Sequence, residues 1–259
     1  MKRINLIGLI ALLALVVPVV SFAGQLTLAE GINKAGRQRM LTQRMVKAYV
    51  QMGMDLRYRK SERQLNAAIY LFESQLKELQ QFSANPEIKA GLAKVRTLWK
   101  PVKKILTAEV DRARVEDLRA EAELLLKASH EVVLMLQELS GTSQGKLVNL
   151  AGRQRMLSQR ISNLYLLQSW GFEKEPYISD YNKALNEFDH ALKQLSAAPE
   201  NTAKIAENLK EVSLQWGVFQ HSARLKKGEY IPALITRSAD KILAQMNVIT
   251  GMYAQLPGK

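Results

Sequence analysis

The chain has no cysteine among its 259 residues. Disulfides, thiol chemistry and attachment of lipid to an N-terminal cysteine are thereby excluded, so the fold relies on packing alone. Histidine is nearly as scarce: His130, His190 and His221 stand apart, with no second histidine or clustered carboxylates at metal-ligand spacing. No zinc or iron site and no cofactor is expected. No nucleophile–base arrangement, phosphate-cradling glycine loop or paired-carboxylate motif is present, so catalysis is not expected. Acids are also in deficit, 24 against 37 Lys and Arg, giving a net charge of +13. Such a field favours anionic partners. An almost wholly apolar run occurs at Ile4 to Val20, after Lys2 and Arg3 and before Ser21-Phe22-Ala23. This is the architecture of a cleaved signal peptide over residues 1–23, and the run is short for a membrane span of about 20 residues. Export to a bacterial periplasm is the expectation, and nucleic acid is then excluded as a partner.

What the chain does contain is a repeat. Ala35-Gly36-Arg37-Gln38-Arg39-Met40-Leu41-Thr42-Gln43-Arg44 returns 116 residues later as Ala151-Gly152-Arg153-Gln154-Arg155-Met156-Leu157-Ser158-Gln159-Arg160. The register extends to Asn33 with Asn149, Tyr49 with Tyr165, Phe72 with Phe188 and Leu76 with Leu192. After a one-residue slip it also pairs Trp99 with Trp216, which reads as a pair of core anchors. A whole unit has been duplicated, which divides the mature chain into units at 24–141 and 142–259.

Apolar residues recur three and four apart throughout, without alternating β-branched runs, so the fold class is all-α. The pattern predicts helices over 26–58, 62–83, 87–113, 115–140, 145–170, 176–196, 200–226 and 229–255. Asn85-Pro86, Glu175-Pro176 and Ala198-Pro199 place proline at helix starts, and Gly141-Thr142-Ser143 and Lys226-Lys227-Gly228 read as helix ends. The expected architecture is two tandem up-down-up-down four-helix bundles, eight helices in all. An even number of antiparallel helices returns the chain to its starting end. The bundles are therefore expected side by side, with helices one and five parallel, rather than end to end through a merged fourth and fifth helix.

At 100° per residue, Ile32, Gly36, Arg39, Gln43, Val46 and Val50 share one stripe of the first helix. Val148, Gly152, Arg155, Gln159, Ser162 and Leu166 form the matching stripe of the fifth. Asn33, Arg37, Met40 and Arg44 form a second sector, and Leu41, Met45 and Met52 a third that should face the unit's own core. A mid-helix glycine is unfavourable by about 1 kcal/mol against alanine, so Gly36 and Gly152 point to a close approach by a backbone or a ligand. A buried arginine beside such a glycine needs an anion or a planar acceptor for its fork of donors. Glu30 and Asp55 are the only carboxylates between residues 26 and 58. The residues leave two readings open: a pocket for a small oxyanion, or a packing seam whose arginines meet Glu73, Glu121 or Glu131 from other helices.

These residues carry a resemblance. Ile32-Asn33-Lys34-Ala35-Gly36-Arg37-Gln38-Arg39-Met40 and Asn149-Leu150-Ala151-Gly152-Arg153-Gln154-Arg155-Met156 resemble the P-box of periplasmic nitrate/nitrite sensor domains. They resemble still more closely the N-terminal domain of type IV pili methyl-accepting chemotaxis transducers. In the nitrate sensors a four-helix bundle dimerises through its first helix, with one anion between the two copies. The resemblance implies that Gly36, Arg39, Gly152 and Arg155 contact a ligand. It also implies that Lys34, Arg44 and Arg160 match the other basic positions. Leu150 stands where the first copy has Lys34, and Arg37 and Arg153 take a position that is uncharged in the nitrate sensors. The implied function is a periplasmic sensor of a small inorganic anion, with nitrate or nitrite first, that reports to a membrane-bound signalling protein. Homodimer formation stays open. The alternative is a structural or partner-binding helical protein whose motif serves packing.

Overall fold

In the computed structural model, residues 26–82, 85–223 and 229–258 are described. The expected signal peptide over 1–23 and the expected helix end at Lys226-Lys227-Gly228 lie outside them. The elements are α1 (Leu28–Gly53), α2 (Tyr58–Phe82), α3 (Pro86–Leu106), α4 (Val115–Ser140), α5 (Ser143–Ser169), α6 (Glu175–Ser196), α7 (Ala203–Ala223) and α8 (Pro232–Ala254). A 3-10 turn at Arg112–Arg114 precedes α4. Among the described residues there is no strand.

Local chemistry sets the helix starts. Thr27 and Glu30 form a capping box, with the Glu30 amide donating to Thr27 Oγ1 at 3.2 Å and the Thr27 amide to Glu30 Oε2 at 2.8 Å. Asn85 caps α3 ahead of Pro86, and Thr142 caps α5 by accepting from the Gly145 amide at 3.0 Å. Gly141, left-handed at φ 62°, ends α4 one residue before that cap, so the fourth and fifth helices reverse direction instead of merging.

Two helices end well before periodicity predicts. The first ends at Gly53, not 58, because Asp55 (φ 52°) and Arg57 (φ 53°) turn left-handed and α2 then begins at Tyr58. The third ends at Leu106, not 113. Here Tyr49 of α1 both donates to the Asp111 carbonyl (3.2 Å) and accepts from its amide (2.9 Å), which pulls the connection out of helix. Tyr165, its repeat partner, holds the later corner by accepting from the Ile231 amide at 2.8 Å.

The two motif helices lie at the centre. α1 packs on α2, α4 and α5, and α5 on α6, α8 and α1, within one continuous apolar core. Contacts between α1 and α5 advance in the same direction: Ile32 meets Gly145, Gly36 meets Arg155, Gln43 bonds Asn163 at 2.7 Å, and Gly53 meets Trp170. The helices therefore run parallel and level. Gly53 is required at its position because a Cβ there would fall 2.2 Å from Trp170 Cη2. Within each half the motif glutamine ties the helix to its neighbour: Gln38 Nε2 donates to the Phe72 carbonyl (3.3 Å) and Gln154 Nε2 to the Phe188 carbonyl (2.8 Å). Trp99 stacks on Phe72 with ring centroids 4.4 Å apart, and Trp216 on Phe188 at 4.1 Å.

A candidate anion site in the seam between α1 and α5

Helical spacing places Gly36 and Arg39 one turn apart on α1 and Gly152 and Arg155 likewise on α5, and the level packing of the helices turns all four toward one another. A Cβ added to Gly152 would lie 3.1 Å from Arg155 Nη2 and 3.6 Å from Arg39 Nη2; one added to Gly36 would lie 3.4 Å from Arg39 Nη2 and 3.5 Å from Arg155 Nη2. Both guanidinium groups thus converge on the same two glycines. The absent side chains are what make room for them.

Both arginines are almost fully buried, Arg39 at 1% exposure and Arg155 at 0%. Arg39 Nη1 meets His130 Nδ1 at 2.9 Å, and its Nη2 donates to Asn149 Oδ1 at 2.8 Å and to the Asn149 carbonyl at 3.4 Å. Arg155 Nη1 donates to Asn247 Oδ1 at 3.2 Å and Nη2 to the Asn33 carbonyl at 3.2 Å. Nε of each arginine has no partner. Among the described residues no carboxylate pairs with either group. Glu73 binds Trp99 and Lys103, and Glu131 binds Lys94.

This arrangement is electrostatically uncomfortable. Burial, then the charge of Arg153, lowers the Arg39 pKa to about 9. Burial, then Arg37 and Arg39, lowers that of Arg155 well below the usual arginine range. Burial, then the neighbouring Arg39 and Arg153, brings His130 to about 4, so the imidazole is neutral at physiological pH and Nδ1 accepts from Arg39. Two unit charges several ångströms apart at an effective dielectric of about 20 repel by about 2–4 kcal/mol. A bound anion would reverse the sign of that interaction and satisfy unused N–H donors with charge-assisted hydrogen bonds.

The five other basic candidates lie outside the seam. Lys34 ion-pairs with Glu78. Arg153 pairs with Glu187 at 2.7 Å, and Arg160 with Glu123 at 2.5 Å and Asp180 at 3.1 Å. Arg37 and Arg44 line an outer groove between α1 and α2. His130, Asn247, Asn33 and Asn149 are the additional groups that touch the seam arginines. Asn33 and Asn149 are visible in the repeat. His130 and Asn247 occupy equivalent places only after the one-residue slip.

The sequence profile of the PilJ family, described as type IV pili methyl-accepting chemotaxis transducer N-term, matches residues 21–124 and 139–247. The chain belongs to this family. It carries two tandem copies, and each match spans one of the two motif helices. No curated protein and no solved structure matches the chain. Among the described residues no helix is long and apolar enough to cross a membrane.

Proposed function

We propose that this member of the transducer N-terminal family is a non-catalytic periplasmic sensor of a small oxyanion, with nitrate or nitrite first, held between α1 and α5. The duplication supplies within one chain the pair of first helices that a dimeric sensor would take from two. The observation that carries the reading is the convergence of two buried, carboxylate-free guanidinium groups on Gly36 and Gly152. A ligand that fits one bundle arrangement better than another shifts the population between them. A membrane-bound partner would read that shift. Export by a signal peptide over 1–23 belongs to the same proposal.

A packing role is the second reading, favoured by the hydrogen bonds that Arg39 and Arg155 already make to asparagine and main-chain oxygens. Calorimetric titration of the full chain with nitrate and nitrite, against chloride, separates the two. Saturable heat, lost in the Arg39→Met/Arg155→Met double variant, is expected, with thermal stabilisation of about 2.7 kcal/mol at a hundredfold excess over Kd. Absence of saturable heat in the wild type would leave the packing reading standing.

A further inference from the structure

Two outer grooves flank the seam and are built from equivalent positions of the repeat. One, between α4, α5 and α6, has a volume of about 240 Å³, reaches Arg39 and His130 of the seam at its floor, and includes Glu123, Lys127, Arg153, Arg160, Asp180, Lys183 and Glu187 in its walls. The other, between α1, α2 and α8, has a volume of about 580 Å³ and is walled by Arg37, Met40, Arg44, Lys60, Arg63 and Leu71. In the first groove the two motif arginines are compensated, Arg153 by Glu187 and Arg160 by Glu123 and Asp180, while Lys127 and Lys183 at its rim make no ion pair among the described residues. In the second, Gln64 stands in the place of Asp180 and Leu71 in the place of Glu187.

None of the four cations of the larger groove makes an ion pair among the described residues, although the charge of Glu78 acts on Arg37 and that of Asp240 on Arg44. Nearby acids are engaged elsewhere, Glu78 by Lys34 and Asp240 by Lys47 at 2.5 Å. Arg37 is half-buried, and burial lowers its pKa despite the opposing field of Glu78. An ordinary solvated charge cluster has neither a desolvated arginine nor an apolar lining. Here Met40, Leu41, Ala68 and Leu71 supply that lining beneath the cations. The volume falls within the range of about 300–1,000 Å³ usual for small-molecule sites.

We infer that the groove between α1, α2 and α8 is a second ligand site, distinct from the seam, which takes a small organic polyanion with an apolar body, of the aromatic or aliphatic polycarboxylate class. The apolar body would lie on Met40 and Leu71 while its carboxylates meet Arg37, Arg44, Lys60 and Arg63. The smaller groove, whose motif arginines are already held by Glu123, Asp180 and Glu187, binds such a ligand less well.

Titration calorimetry of the full chain with trimesate, a benzene ring bearing three carboxylates, tests this. Saturable uptake that weakens with added salt is expected. Arg63→Gln, at an exposed position, should weaken it by about three- to tenfold. Leu71→Glu, which introduces the acid that the other groove already has, should weaken it by about tenfold or more with the circular dichroism spectrum unchanged. Lys183→Ala in the smaller groove should leave the affinity as it was. Absence of saturable uptake, or affinity unmoved by both Arg63→Gln and Leu71→Glu, would overturn the assignment. Uptake of a hexaglutamate peptide but not of trimesate would also overturn it, in favour of an acidic protein partner.

Discussion

Lys47 in α1 and Asn163 in α5 hold the same place in the repeat, and after the one-residue slip so do Asp240 in α8 and Glu123 in α4. Their surroundings have diverged. On one side Lys47, at 0% exposure, pairs with Asp240 at 2.5 Å. On the other Asn163 donates to Gln43 at 2.7 Å, and Glu123 instead takes Arg160 from α5 at 2.5 Å. The seam between these two flanks keeps the same glycines and arginines in both copies. A symmetric dimer of identical chains must present two equal flanks to its central site. A duplicated chain is free of that constraint, and this one has placed a buried ion pair and an uncompensated groove on one flank and a compensated network on the other.

The largest expected effect comes from breaking the ion pairs on the two flanks. Asp240→Ala strands the buried Lys47 ammonium and should destabilise the fold by about 3–5 kcal/mol. Glu123→Ala leaves Arg160 with Asp180 and should cost about 1 kcal/mol. Urea denaturation of the two variants compares them, and equal losses would mean that the halves remain energetically interchangeable.

The seam arginines offer a smaller contrast. Arg39 has a 2.8 Å bond to Asn149 Oδ1 and a 2.9 Å contact with His130, whereas both bonds of Arg155 are 3.2 Å long. Without added anion, Arg39→Met should therefore destabilise more than Arg155→Met, by about 1 kcal/mol. A reversed order in thermal unfolding would show that relief of charge repulsion, and not hydrogen bonding, dominates the seam.

The smallest effect is in acid. His130 titrates near 4 in the folded chain against 6.5 ordinarily, so between those values the unfolded chain binds the extra proton. Its contribution is complete above about pH 6.5 and is lost as pH falls toward 4. His130→Asn installs the residue found at the equivalent place, Asn247, which accepts from Arg155. The variant should lose stability less steeply than wild type across that window, as followed by Tm against pH. Parallel curves would remove His130 from the acid response.

The two sets of four helices and the Gly36/Arg39 and Gly152/Arg155 stripes were legible in the amino-acid order, because capping, glycine placement and a 3.6-residue period act within a few residues of the chain. The end of α1 was not, where Asp55 and Arg57 turn left-handed, nor was that of α3, since Tyr49 reaches 62 residues along the chain to reshape the connection at Asp111. His130 looked isolated for the same reason: it is 91 residues from the arginine it serves. The sequence by itself determined the duplication, the all-helical fold and the faces on which the motif arginines lie. Only the tertiary structure decided that both guanidinium groups converge on the same glycines, that His130 and Asn247 receive them, and which of the other cations find a carboxylate. Those outcomes depend on the rotation and level at which distant helices pack, and packing of the whole core fixes that register.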